Sequence, residues 1–105
     1  MIVTFEEEYL RDLYETGKAS DKKHRFQPEI VRKYKRCIDI IFDASGVKAL
    51  VDIKSLNYEE LKGDRLGRSS IRINKKYRIE FTVKDSVIEP VVTVCNILEL
   101  SNHYQ

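Results

Sequence analysis

Two groups of side chains in this sequence could do chemistry, one by gripping a phosphate and one by moving protons. Between Lys62 and Lys84 stand Lys62, Arg65, Arg68, Arg72, Lys75, Lys76, Arg78 and Lys84, with only Asp64 and Glu80 as acids. Guanidinium groups grip phosphate through paired, charge-assisted hydrogen bonds, so this stretch reads as a phosphate clamp. Near the C-terminal end, His103 supplies the side chain most ready to exchange protons near neutral pH, and Tyr104 a phenol that can donate or stack. A second basic zone, Lys22–Arg36, holds Lys22, Lys23 and Arg25 at its head and a single acid, Glu29, whereas Glu6, Glu7, Glu8, Asp12 and Glu15 make the start acidic. The formal net charge of the 105 residues is only +2. Bulk charge therefore names no partner, and the distribution of charge carries the information.

Other candidates read as structural. His24 lies in a polar, basic loop and is expected to be solvated. Cys37, on an apolar helical face, and Cys95, in an apolar run, are expected to pack as small hydrophobes. The spacing of His24, Cys37, Cys95 and His103 is not that of a zinc site, and neither a Walker nor a Rossmann glycine loop is present. No metal and no cofactor is expected. Two distant cysteines, three glutamates in Met1–Tyr9 and the lack of a long apolar run predict a soluble cytoplasmic protein with no membrane partner.

The elements that must position these groups follow from hydrophobic period. Ile2-Val3-Thr4-Phe5 predicts a first strand. From Glu6, Tyr9, Leu10, Leu13 and Tyr14 recur at helical spacing, and Gly17 offers a stop. After a polar loop, Pro28 suits a first helical position; Ile30, Val31, Tyr34, Cys37, Ile38, Ile41 and Phe42 then form one apolar face. Val47, Leu50 and Val51 suggest a short third helix before an irregular stretch that reaches Gly67. Beyond it the period drops to two, through Ile71 and Ile73, then Tyr77, Ile79, Phe81 and Val83, with a turn at Asn74-Lys75-Lys76 and a last strand over residues 91–100. The expected architecture is one α+β domain over residues 1–105, with an N-terminal strand and two to three helices packed on one face of a mainly antiparallel sheet. If Ile71, Ile73, Tyr77 and Ile79 all face the helices, a three-residue loop at 74–76 sets Arg72 directly across from Arg78 on the other face. Parity in the last strand puts Leu98 and Leu100 in the core, and Glu99, Ser101 and His103 beside the two arginines.

Leu61-Lys62-Gly63-Asp64-Arg65, followed by Ser70-Ile71-Arg72-Ile73-Asn74-Lys75-Lys76-Tyr77-Arg78-Ile79-Glu80-Phe81, resembles the L-K-G-D-R…[WY]-S-I-R-[IV]-N-x-x-[WY]-R-I-x-F pattern of HigB-type toxins within the RelE/ParE superfamily. The resemblance implies a RelE-like fold and the toxin of a type II toxin–antitoxin system. It further implies a ribosome-dependent endoribonuclease that cleaves mRNA without a metal, by attack of the ribose 2′-hydroxyl, and that a HigA-like antitoxin silences. Carried over by motif, Arg78 contacts the scissile phosphate, Lys62 is the lysine of L-K-G, and His103 and Tyr104 stand for the terminal aromatic–histidine pair. Arg72 joins this catalytic set, while Lys22, Lys23, Arg25, Arg65 and Arg68 are expected to bind RNA and the ribosome. Where members often have a histidine before L-K-G, this chain has Tyr58, Glu59 and Glu60. The alternative from the same superfamily is a ParE-like toxin that inhibits DNA gyrase by binding it, since one fold serves both actions.

Overall fold

A computed structural model describes residues 1–86, 89 and 91–102. In chain order it contains β1 (Ile2–Phe5), α1 (Glu8–Glu15), α2 (Pro28–Asp43), α3 (Val47–Asp52), β2 (Glu59–Glu60), β3 (Ser69–Arg72), β4 (Arg78–Asp85) and β5 (Thr93–Ser101). Short 3-10 turns at Lys54–Leu56 and Gly63–Arg65 flank β2. The five strands form one sheet in the order β1-β5-β4-β3-β2. Only the β1–β5 pair is parallel, so the sheet is mixed and mainly antiparallel.

The helices form where the apolar period demands. Pro28 opens α2 with its φ already set for a helix, and Gly17, at φ 80°, provides the left-handed residue that ends α1. Tyr9, Leu10 and Leu13 of α1, together with Ile30, Val31, Tyr34, Cys37, Ile38 and Ile41 of α2, pack into one core with Ile71, Ile79, Phe81, Cys95, Ile97 and Leu100 of the sheet. Inside that core the Tyr34 hydroxyl donates to the Leu10 carbonyl at 2.7 Å, which ties the two helices and satisfies a polar atom that burial would otherwise strand. Phe42 does not extend the apolar face of α2 as its spacing suggests. It lies in the last turn of α2 and is 62% exposed. Among the described residues no helix is long and apolar enough to cross a membrane.

The last strand departs from simple alternation. Glu80 pairs with Glu99, but Phe81 pairs with Ile97, so Leu98 is the extra residue of a β-bulge. Cys95, Ile97 and Leu100 are therefore the core residues of β5, and Leu98 is only half-buried. The stretch before Gly67 also holds more order than its irregular sequence suggests, because Glu59 and Glu60 pair with Ser70 and Ser69 as a fifth strand.

Both cysteines are buried, as expected of small hydrophobes. Burial pushes the Cys37 thiol from 9.0 up to about 11 and that of Cys95 up to about 12. Raised folded-state values mean that the stability these thiols contribute is complete below pH 9 and is lost as pH climbs through about 11 and about 12. Neither thiol should react with a thiol-selective reagent in the native protein at pH 8, and both should react in denaturant. The melting temperature should begin to fall above pH 9. Rapid native labelling of Cys95 would contradict the packing described.

Candidate functional site

The sheet face turned away from the helices carries Ser70 and Arg72 of β3, Arg78 and Glu80 of β4, and Glu99 and Ser101 of β5. Arg72 pairs with Arg78, Arg78 with Ser101, and Glu80 with both Ser70 and Glu99. The expected juxtaposition of Glu99 and Ser101 with the two arginines is therefore present. His103 and Tyr104 lie outside the described residues.

Glu80 is the centre of this face. It is 0% exposed, and its carboxylate accepts from Arg65 Nη1 at 2.7 Å and from Arg68 Nη1 at 3.2 Å. Arg68 Nη1 also stands 3.6 Å from Glu99 Oε1. A buried carboxylate is tolerable only with such partners. The loop that delivers them is short and closed: Leu61 N–H donates to the Arg68 carbonyl at 2.8 Å, and Leu66 N–H to that of Gly63 at 3.2 Å. Gly63 adopts φ 70° at the start of that turn, a conformation that favours glycine and that explains its place in the motif. Arg65 and Arg68, expected as RNA-binding cations, each give Nη1 to Glu80, while their side chains remain 34% and 36% exposed.

Arg78 also differs from an exposed strand cation. It is 5% exposed; its Nε donates to Ser70 Oγ at 2.9 Å, and its Nη2 donates to the Asn57 carbonyl. Asn57 sits in the left-handed region at φ 46°, which asparagine tolerates better than most residues. Glu59 Oε2 lies 3.9 Å from the same Nη2. Arg72 turns the other way, its Nε donating to the Asn74 carbonyl at 3.1 Å. The two arginines therefore escape head-on repulsion by anchoring to different loops. Asn74 Oδ1 accepts from the backbone N–H groups of Lys76 and Tyr77, at 2.9 and 2.7 Å, and so fixes the tip of the hairpin.

Between these anchors lies a depression of about 330 Å³ lined by Asn57, Arg72, Asn74, Lys75 and Arg78. Three cations converge there, an arrangement suited to an anion such as a phosphate. Lys62 is not part of it. It is exposed and lines a neighbouring depression of about 370 Å³ with Leu66 and Arg68. Lys23 and Arg25 line a third depression at the α1–α2 loop, while Lys22 is exposed. Of the residues in place of the missing histidine, Tyr58 is bonded to Ser69 Oγ at 2.8 Å, and Glu59 is the one beside Arg78. His24 is not a free loop side chain. Its ring lies parallel to that of Tyr9, with centroids 3.5 Å apart, and its Nδ1 is 2.9 Å from Asp21 Oδ1. Sequence reasoning missed Glu80 as the buried counter-ion, although its strand parity, on the face of Arg72 and Arg78, was the available signal.

Residues 3–93 match the model for the RelE-like toxin of type II toxin-antitoxin system HigB. Over 89 residues the chain is 34% identical to toxin HigB-1 of Vibrio cholerae serotype O1, covering 83% of this chain and 88% of that one. The YoeB/ParE toxin from Agrobacterium tumefaciens superposes with a TM-score of 0.57 at 19% identity, covering 99% of this chain and 100% of that one. The toxin fold in the YoeB-YefM complex from Staphylococcus aureus gives 0.58 at 21% identity, covering 99% and 98%. The fold is thus RelE-like, that of the YoeB and ParE toxins. The chain belongs to the HigB family of RelE-like toxins of type II toxin–antitoxin systems.

Glu80→Ala should destabilise the domain by about 1.5–3 kcal/mol, because it removes the buried acceptor of two charge-assisted hydrogen bonds. Lys62→Ala, at an exposed position, should stay within about 0.5 kcal/mol of wild type. Urea denaturation of the two variants side by side tests this; equal midpoints would remove Glu80 from its central place.

Proposed function

We propose that this toxin is a ribosome-dependent endoribonuclease that cleaves mRNA without a metal. The observation that carries the reading is the convergence of Arg72, Lys75 and Arg78 on one depression beside the end of β5. In the proposed step a base removes the proton of a ribose 2′-hydroxyl, and the 2′-oxygen attacks the adjacent phosphorus. The 5′-oxygen leaves with a proton from an acid, giving a 2′,3′-cyclic phosphate and a 5′-hydroxyl end. Charge on the pentacovalent phosphorane is stabilised by the preplaced guanidinium groups of Arg72 and Arg78, whose positions are held before substrate arrives. His103 is the main proton-transfer group, and Tyr104 stacks on a base or donates to the leaving oxygen. Glu59, beside Arg78, is placed to serve where relatives use an additional histidine. Lys62 contacts the RNA from the adjoining depression. Lys22, Lys23 and Arg25 bind RNA through its phosphates, an interaction that weakens steeply with salt. A HigA-like antitoxin binds the toxin and silences it in the cytoplasm.

Brief induction followed by mapping of mRNA ends, with plasmid supercoiling measured in the same cells, tests the reading against gyrase inhibition. Cyclic-phosphate ends at ribosome-bound codons with unchanged supercoiling are expected; altered supercoiling with intact mRNA would overturn it. Arg72→Ala should leave the fold intact and reduce cleavage by about 10²–10³-fold. Arg78→Ala would also lose buried hydrogen bonds, so Arg78→Lys, which keeps the charge and loses the fork, is the cleaner probe and should be as severe. Removing His103, Tyr104 and Gln105 should leave a folded, ribosome-binding protein, because Ile97 and Leu100 still anchor β5. Cleavage by that protein should fall about 10²–10⁴-fold.

A further inference from the structure

The depression at the α1–α2 loop has a composition that phosphate binding alone does not explain. Its volume is about 400 Å³, within the roughly 300–1,000 Å³ typical of small-ligand sites. Its wall is mainly polar, but Tyr9, His24, Phe26 and Tyr77 all line it. The rings of Tyr9 and His24 are parallel within 6°, and the Phe26 and Tyr77 rings meet edge to face at 5.8 Å. Asp21 holds His24 twice, its Oδ1 accepting from the His24 backbone N–H at 3.0 Å and lying 2.9 Å from the ring Nδ1. One face of the imidazole is thus covered by Tyr9 and one edge by Asp21, yet the side chain remains 28% exposed. A flat ring, held on one face and one edge, thus forms part of the pocket wall. Lys23 and Arg25 flank it.

We propose that this pocket receives one nucleotide of single-stranded RNA, its base stacked on His24 and its phosphate held by Lys23 and Arg25. The inference rests on the ribonuclease reading and adds a subsite to it. Stacking platforms flanked by cations are the general means of holding unpaired bases, because every base has a π-face. The acids at the rim, Glu7 and Glu99, fit that occupant, since carboxylates accept from the exocyclic amino groups of bases. Position supports it as well. Tyr77 and Asn102 of the pocket wall are the sequence neighbours of Arg78 and Ser101, so the pocket lies at the same end of the sheet as that cross-strand pair, on the side of the helices. A strand of RNA that passes round this end of the sheet would meet both.

The test compares wild type, His24→Ala and His24→Phe on ribosomes carrying a defined mRNA, by single-turnover cleavage and thermal melting. His24→Ala should weaken productive binding by about 10–100-fold. His24→Phe keeps a flat ring, loses the Asp21 bond and any proton transfer, and should restore cleavage to within a few-fold with an unchanged pH profile. Full activity in His24→Ala, or failure of His24→Phe to rescue, would overturn the stacking role. Photocrosslinking of wild-type toxin to ribosome-bound mRNA carrying 5-iodouridine, made uncleavable by 2′-O-methyl groups, reads the pocket independently of catalysis and of any folding defect. Crosslinks at His24, Phe26 or Tyr77 support the subsite, even if the wild type fails to cleave unmodified mRNA and the ribonuclease reading falls. Crosslinks confined to other surfaces overturn it, even if cleavage is robust.

Discussion

The buried carboxylate of Glu80 is the interaction on which the functional face depends. An ionised group that has given up all contact with water needs near-ideal partners, and desolvation otherwise costs several kcal/mol. Arg65 and Arg68 supply them, but only because the turn at Gly63 brings the loop over residues 61–68 back across the sheet. Neither arginine is adjacent to Glu80 in the chain. The ion network is therefore a tertiary clasp that holds an otherwise irregular loop against β4. Arg68 extends the clasp to Glu99, joining β4, β5 and the loop through one side chain.

A second constraint decides which residues share this face. A strand with strict alternation would put Leu98 in the core together with Leu100, and Cys95 and Ile97 on the polar side. The bulge at Leu98 absorbs one residue and lets Cys95, Ile97 and Leu100 all reach the core, with Glu99 and Ser101 still opposite Glu80 and Arg78. The bulge thus reconciles an apolar lower half of β5 with a polar upper half. Bulges also increase local twist, which is a common way to direct the end of a strand at a site.

The parts of this architecture legible in the sequence were those set by local period. The long helix from Pro28, the three-residue turn at 74–76 and the pairing of Arg72 with Arg78 all follow from counting apolar positions. Periodicity assigns a face but not how far the opposing layer extends, and so it placed Phe42 in the core and Leu98 beside Leu100. It also treats each cation as solvated. Whether an arginine is bonded depends on residues far away in sequence: Glu80 for Arg65, Asn57 and Ser70 for Arg78. His24 was misread for the same reason, because its partner Tyr9 belongs to the preceding helix. The family motif over residues 61–81 marks these positions without saying which of them are structural.

Sorting the cations by partner separates the two duties of the basic segment. Arg65 and Arg68 neutralise Glu80 and Glu99, so the positive potential they would project from the sheet is largely cancelled. Arg78 is held by a hydroxyl and a carbonyl, which fix its direction, and forms a longer ion pair, at 3.9 Å, with Glu59. Arg72 is likewise anchored by a carbonyl, and Lys75 is carried on the hairpin tip that Asn74 fixes. The arginines on buried Glu80 build the scaffold, and Arg72 and Arg78, directed by a hydroxyl and by carbonyls, line the depression. Such preorganisation matters because a guanidinium already aligned need not reorganise when negative charge develops beside it. The acidic clasp and the basic depression are therefore two parts of one face: a buried carboxylate holds the loop over residues 61–68 against β4, and the hairpin of β3 and β4 carries the cations of the depression.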